Sequence, residues 1–324
     1  MEEIMRVNKL TKTYDGLVAV DCISFHVNRG ELFGFLGPNG AGKTTTIKML
    51  TGLAKPASGT AYIDGIDICE YPKKAQQLIG VVPDESNLYP ELTGLENLSF
   101  CASLYGLRKE ERKARARELL EMFNLCDAAN RKFETYSKGM KRKLTIAAGI
   151  IHQPPVLFLD EPTTGIDIAS ARQIRKLISK LHRNGTTIFL TTHYIEEAER
   201  LCNRIAFIVK GKIIRVDKVS NLLQPIKDDH IMEISLSAVN GSLLHEVSAS
   251  FPYYSFESLP GQVFRINSKE PIPVSPIINF FEDRGSEVKE AKRIVPSLED
   301  VFVKITGIEA SEMENGKSRR GNKL

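Results

Sequence analysis

Short apolar runs alternate with amphipathic stretches through the first half of the chain. Residues 31–36 (Glu-Leu-Phe-Gly-Phe-Leu) form one such run, which passes through a glycine-rich turn into residues 44–50, of helical character. Residues 156–159 and 187–190 are further apolar runs. Continuous runs of about four to six apolar residues predict buried strands of a sheet covered on both faces, the pattern of an α/β domain. From residue 91 to 151 the strand signal vanishes, and residues 95–104 and 109–125 predict helices. The charged run 108–117 reads as a solvated face with pairs such as Glu111–Arg115; an inserted helical subdomain that docks on a partner is the sharper reading.

Past residue 223 the pattern changes. Residues 230–236 alternate, 241–250 suit a helix, and 253–258 can pair with 262–268 across the turn signal Pro260-Gly261. A helix over 274–284 and a strand over 287–295 complete β-α-β-β-α-β, a small ferredoxin-like module. Residues 311–324 are polar and end basic, which predicts a disordered tail, with a role at an anionic membrane surface as the weaker alternative.

Composition narrows the class without naming it. A length of 324 residues with 42% hydrophobic and 26% charged residues suits about two globular domains. The net charge of +4 is too balanced to argue for nucleic-acid binding by itself. The longest apolar-rich run without acidic or basic residues, 145–159, is too short to cross a bilayer and is broken by Pro154-Pro155. Glu2 and Glu3 open a terminus with no apolar signal core, so secretion is not expected. Five scattered cysteines, never spaced C-x-x-C, predict free thiols in a reducing cytoplasm and no zinc site.

The strongest chemical signal is Gly37-Pro38-Asn39-Gly40-Ala41-Gly42-Lys43-Thr44-Thr45, which fits G-x-x-x-x-G-K-[ST] between a strand and a helix. Glycines let successive backbone N–H groups turn inward around phosphates, and the helix N-terminus adds its positive end. Lys43 can reach the β- and γ-phosphates, and the Thr44 hydroxyl can ligate Mg²⁺. Downstream, Asp160 and Glu161 close an apolar strand. Asp160 suits the Mg²⁺ shell, and Glu161 can orient or deprotonate an attacking water. Between these motifs Ser137 stands at the start of a predicted helix, where it is either an ordinary N-cap or part of an anion-binding terminus. Spacing does not say whether that terminus serves its own chain's nucleotide or another's.

With these motifs in this order, the first two thirds of the chain resembles the ATP-binding subunits of ABC transporters. The resemblance implies a P-loop cassette over residues 1–222 with an inserted helical subdomain at about 85–155. It places the signature at residues 136–140, with Ser137 and Gly139, and the D-loop at 164–167, ending in Asp167. It makes His193 the switch histidine and Tyr14 the aromatic that stacks on adenine. Residues 296–302 (Pro-Ser-Leu-Glu-Asp-Val-Phe) resemble the closing motif of daunorubicin-resistance-type exporter ATPases, which makes 223–308 an accessory or dimerisation domain and 309–324 a basic tail. One departure stands out: Asp84 occupies the position of the Q-loop glutamine, where it can still ligate Mg²⁺ but adds negative charge. The resemblance implies a Mg-ATP-dependent homodimer, peripheral on the cytoplasmic face of the membrane. It would drive transport, export by subfamily, through a separate polytopic permease, with no nucleic-acid partner. A soluble ABC-type ATPase acting on ribosomes or nucleic acid is the competing reading.

Overall fold

The computed structural model describes residues 2–227, 230–238, 242–294, 297–308 and 313. It divides into two units, Met1–Val219 with Ile305–Leu324, and Ser220–Lys304.

The first unit opens with two long strands, β1 (Glu3–Tyr14) and β2 (Leu17–Asn28), joined by a tight turn at Asp15-Gly16. Then come β3 (Leu32–Leu36), α1 (Lys43–Leu50), β4 (Ser58–Ile63), β5 (Ile66–Asp67), α2 (Pro72–Gln77) and β6 (Ile79–Val82). Three helices follow without a strand between them: α3 (Gly94–Leu104), α4 (Lys109–Met122) and α5 (Lys138–Gly149). The unit continues through β7 (Val156–Asp160), α6 (Ile168–Arg183), β8 (Thr187–Thr192), α7 (Ile195–Leu201), β9 (Arg204–Val209) and β10 (Lys212–Lys218).

These strands make two sheets. An antiparallel one has the order β2-β1-β4-β5, and the central one has the order β10-β9-β3-β8-β7-β6. The five strands from β9 to β6 are parallel, and β10 is added antiparallel to β9. Every residue of β3, β7 and β8 is buried, as their unbroken apolar runs require of strands covered on both faces. Phe25 of β2 packs on Phe33, Phe35 and Phe189 of the central sheet, and Phe189 also meets Phe158, so an aromatic cluster joins the two sheets.

Helix α3 starts one residue earlier than the apolar pattern indicates, because Thr93 and Glu96 form a reciprocal capping box ahead of Leu95. Helix α4 ends at Met122 rather than continuing to 125. The expected Glu111–Arg115 pair does not form. Glu111 instead accepts the Arg108 backbone N–H at 2.9 Å, and Arg115 pairs with Glu118 at 2.6 Å. An uncapped amide at a helix start competes for a carboxylate three residues on, and here it wins.

The second unit carries α8 (Val219–Lys227), β11 (His230–Leu236), α9 (Leu243–Ser250), β12 (Ser255–Leu259), β13 (Val263–Ser268), α10 (Val274–Glu282), β14 (Val288–Ile294) and α11 (Leu298–Thr306). Its antiparallel sheet has the order β12-β13-β11-β14, which is the ferredoxin-like arrangement of a β-α-β-β-α-β chain. Met232, Ile234, Leu236, Phe264 and Ile266 alternate inward and pack on Val247, Ile277 and Phe281. β12 begins two residues later than the pattern indicates, leaving Tyr253 fully in solvent. The tail expectation for 309–324 falls outside the described residues except at Met313, which is buried.

Candidate functional site

Strand β3 delivers the chain into the phosphate loop, and α1 begins at Lys43. Two glycines are required by the close approach of backbone. A Cβ on Gly37 would lie 2.1 Å from the Ile208 carbonyl oxygen, and Gly42, at φ 107°, would put one 2.6 Å from that of Ala19. Pro38 and Ala41 complete the turn, with Ala41 N donating to the Pro38 carbonyl at 3.1 Å. Lys43 is buried. Its Nζ donates to the Gly37 and Pro38 carbonyls at 2.6 and 3.2 Å and lies 3.1 Å from Glu161 Oε1. Burial pushes the Lys43 pKa down, while the Glu161 and Asp160 charges oppose that shift.

Asp160 ends β7 beside β8, where the Thr191 hydroxyl donates to its Oδ1 at 2.5 Å. The Thr44 hydroxyl also bonds this carboxylate. Burial raises the Asp160 pKa, and the two hydroxyl bonds offset only part of the rise. Glu161 follows in a left-handed conformation, φ 48°, held by its N–H to the Thr191 carbonyl at 3.1 Å. Its Oε2 accepts from His193 Nδ1 at 2.8 Å and from the Thr164 hydroxyl at 3.1 Å. Burial would raise the Glu161 pKa, but His193 and Lys43 outweigh it and hold the carboxyl below its ordinary value.

A cleft of about 900 Å³ gathers Tyr14, Asn39, Gly40, Gly42, Lys43, Thr44, Thr45, Asp84, Glu161 and His193. Asp160 lies behind Thr44, nearly inaccessible. Gly37, Pro38 and Ala41 build the loop without lining the cleft, and three further predicted residues lie away from it. Ser137 is exposed and caps α5, accepting the Met140 N–H at 3.2 Å. Gly139 is buried against α6, where a Cβ would meet Ser170 Oγ at 2.3 Å. Asp167 is exposed and caps α6 through the Ser170 N–H at 2.9 Å.

Sequence reading passed over several residues of the site. Lys210 lines the cleft from the β9–β10 turn, a position that only the tertiary structure brings near the phosphate loop. Leu17, Val18 and Ala19 line it beside Tyr14. Arg142, one of a basic run in α5, buries its guanidinium between Pro83, Asp84 and Glu161. The Asn39 N–H donates to the Met313 carbonyl at 3.2 Å, a contact between the phosphate loop and a residue 274 positions later.

The oxygen donors fit Mg²⁺. Among the described residues no group of three or more His, Cys, Asp or Glu could hold a metal by itself. The Thr44 hydroxyl and the Asp160 carboxylate are in contact, with Asp84 lining the same cleft. A hydroxyl and one or two carboxylates, completed by phosphate oxygens and water, is the donor set that this hard cation takes.

The family described as ABC transporter matches residues 20–164. The linearmycin resistance ATP-binding protein LnrL of Bacillus subtilis is 42% identical over 241 residues, 74% of this chain and 78% of that protein. The Nod factor export ATP-binding protein I of Cupriavidus pinatubonensis is 36% identical over 309 residues, covering 94% of this chain and 91% of that one. Among solved structures, the ATP-binding cassette MJ0796, a dimer in a post-hydrolysis state with ADP and Pi, superposes with a TM-score of 0.62 at 30% identity. That match covers 66% of this chain and 98% of the other. With a P-loop cleft of this geometry and relatives of this similarity, the chain belongs to the ATP-binding proteins of ABC transporters, ATPases whose hydrolysis is coupled to transport.

Proposed function

We propose that ATP closes two copies of this chain head to tail, each nucleotide lying between the phosphate loop of one copy and Ser137 and Gly139 of the other. The observation that carries this reading is the split of the predicted site. Tyr14, the phosphate loop, Asp84, Glu161 and His193 share one cleft, whereas Ser137, Gly139 and Asp167 of the same chain lie outside it. A second copy would supply the missing wall, and the dimeric cassette to which the chain is similar supports that arrangement.

Within the cleft the roles follow from chemistry. Tyr14 offers an exposed ring on which adenine stacks. The amides of residues 40–45 and Lys43 bind the phosphates. Thr44 and Asp160, with Asp84 at the edge of the shell, would hold Mg²⁺, which would supply positive charge to neutralise the phosphates. Glu161, kept ionised by His193 and Lys43, orients the attacking water and accepts its proton. His193 holds that carboxylate at 2.8 Å and would contact the γ-phosphate.

No helix among the described residues is long and apolar enough to cross a membrane. We assign the crossing to a separate polytopic permease, with this chain peripheral on its cytoplasmic side. Transport is outward, in line with the relatives named for linearmycin resistance and Nod factor export. The helical segment α3–α5 carries closure to the permease, and residues 223–308 form an accessory or dimerisation domain.

The test is Glu161→Gln. Hydrolysis falls by about 10²-fold or more, and light scattering with Mg-ATP finds a stable dimer. Normal turnover in this variant, or a monomer at saturating ATP, overturns the reading. Co-purification of the tagged chain from its membranes tests the permease, which is expected at about equal abundance.

A further inference from the structure

Arg142 is the most heavily engaged cation near the cleft that the proposed mechanism leaves without a task. Its guanidinium is 6% exposed and sits where two neighbouring strands end. β6 and β7 are parallel neighbours with Val82 opposite Leu159, so Pro83-Asp84 and Glu161 emerge side by side. Arg142 joins them: Nη1 donates to the Pro83 carbonyl at 2.5 Å and Nη2 to the Glu161 carbonyl at 2.8 Å. The same Nη2 lies 3.6 Å from Asp84 Oδ1. A planar guanidinium can hold two carbonyls and a carboxylate in one fixed geometry, which an ammonium cannot.

Each contact has a consequence. Glu161 is a non-glycine residue at φ 48°, a strained conformation that the surrounding structure must hold. Thr191 holds its N–H side and Arg142 its carbonyl side. Asp84 adds a carboxylate to a site already containing Asp160 and Glu161, and Arg142 supplies the facing positive charge. Finally, Arg142 lies five residues along α5 from Ser137, about 7.5 Å at the helical rise. The helix whose first turn would meet the partner's nucleotide is thereby tied to this chain's own carboxylates.

We propose that Arg142 is a positioning residue for hydrolysis: through the Glu161 carbonyl and the Asp84 carboxylate it holds the water-orienting glutamate in place, keeps Asp84 at the edge of the Mg²⁺ shell, and links both to the signature helix. The inference rests on the reading of Glu161 as the residue that orients water.

The variants are Arg142→Lys, which keeps charge without the fork, Asp84→Asn, and the two combined, in the full-length protein. Arg142→Lys lowers kcat by about tenfold to a hundredfold. Affinity for a fluorescent ATP analogue measured in EDTA changes by less than about threefold. The Mg²⁺ concentration for half-maximal binding of that analogue falls severalfold, because Asp84 is released, and the fall disappears when Asp84→Asn is added. An unchanged kcat, or a Mg²⁺ response indifferent to Asp84, overturns the proposal. A loss of kcat matched by an equal loss of folded protein, followed by circular dichroism, overturns it as well. Glu161→Gln separates the two readings. If that variant is active the Glu161 assignment fails; if it is inactive while Arg142→Lys is normal, only the role of Arg142 fails.

Discussion

Nδ1 of His193 lies 2.8 Å from Oε2 of Glu161, and both side chains are buried. An ionised carboxylate only accepts, so Nδ1 carries the proton and donates it. The histidine therefore orients the glutamate by a charge-assisted bond, as the Thr164 hydroxyl does by a neutral one. Replacing it with alanine leaves Glu161 with Lys43 and Thr164 alone. We expect His193→Ala to lower kcat by about 10²-fold with a smaller change in KM. Steady-state ATPase assays check this, and a kcat within threefold of the parent would remove His193 from the mechanism.

Gly139 has two separable reasons to be glycine. Within the chain, a Cβ there would meet Ser170 Oγ at 2.3 Å and Ser170 Cβ at 2.7 Å. Gly139→Ala is expected to cost about 1–3 kcal/mol through this overlap. Adding Ser170→Gly relieves it. If Gly139 also contacts the partner copy's nucleotide, the double variant regains its urea midpoint but not its ATPase rate. Recovery of both would make the glycine purely a packing residue.

His152 supplies a pH dependence. Its ring stacks on Tyr105 at 3.5 Å, Nε2 bonds the Ile79 carbonyl at 3.1 Å, and Nδ1 is buried with no partner. Burial drops its pKa to about 4, with the Ile79 carbonyl opposing the shift. The unfolded chain takes up this proton near pH 6.5 and the folded chain only near pH 4. Stability is therefore complete above pH 6.5, declines as pH falls between the two values, and then levels. Discounted for partial exposure, the loss is about 1–2 kcal/mol. His152→Phe keeps the stack and abolishes this slope in urea titrations at successive pH values; an unchanged slope would assign it to other groups.

Phe189 anchors the join between the two sheets of the first unit, with Phe25, Phe33, Phe35 and Phe158 at ring distances of 5.4–5.9 Å. Phe189→Ala is expected to cost about 3–5 kcal/mol. Phe189→Leu should cost less, since more of the volume is kept. Chemical denaturation measures both, and a cost below 1 kcal/mol for alanine would mean that the cluster collapses around the loss.

Much of the site was legible because its chemistry is local. Gly37 to Thr45 must be contiguous, since consecutive amides form the cradle, and Asp160-Glu161 must directly follow a buried strand to reach it. The Ser137 cap was legible on the same ground, since it acts over three residues, whereas the Thr93–Glu96 box, of the same reach, starts α3 ahead of its apolar pattern. The Glu111–Arg115 expectation failed at that same range, because two local partners competed for one carboxylate and spacing does not rank them. The alternation of residues 230–236 announced β11, and Pro260-Gly261 announced the hairpin of β12 and β13.

The sequence by itself determined the phosphate loop, the order of strands and helices, and the chemical types at the cleft, since these depend on contiguous residues and short periodicities. The tertiary structure decided which distant residues share a space: Lys210 in one cleft with Lys43, His193 on Glu161, Arg142 between Asp84 and Glu161, and Ser137 outside that cleft. Those relations depend on the order in which parallel strands pair, and strand pairing is set by burial over the whole sheet, which no local stretch of sequence encodes.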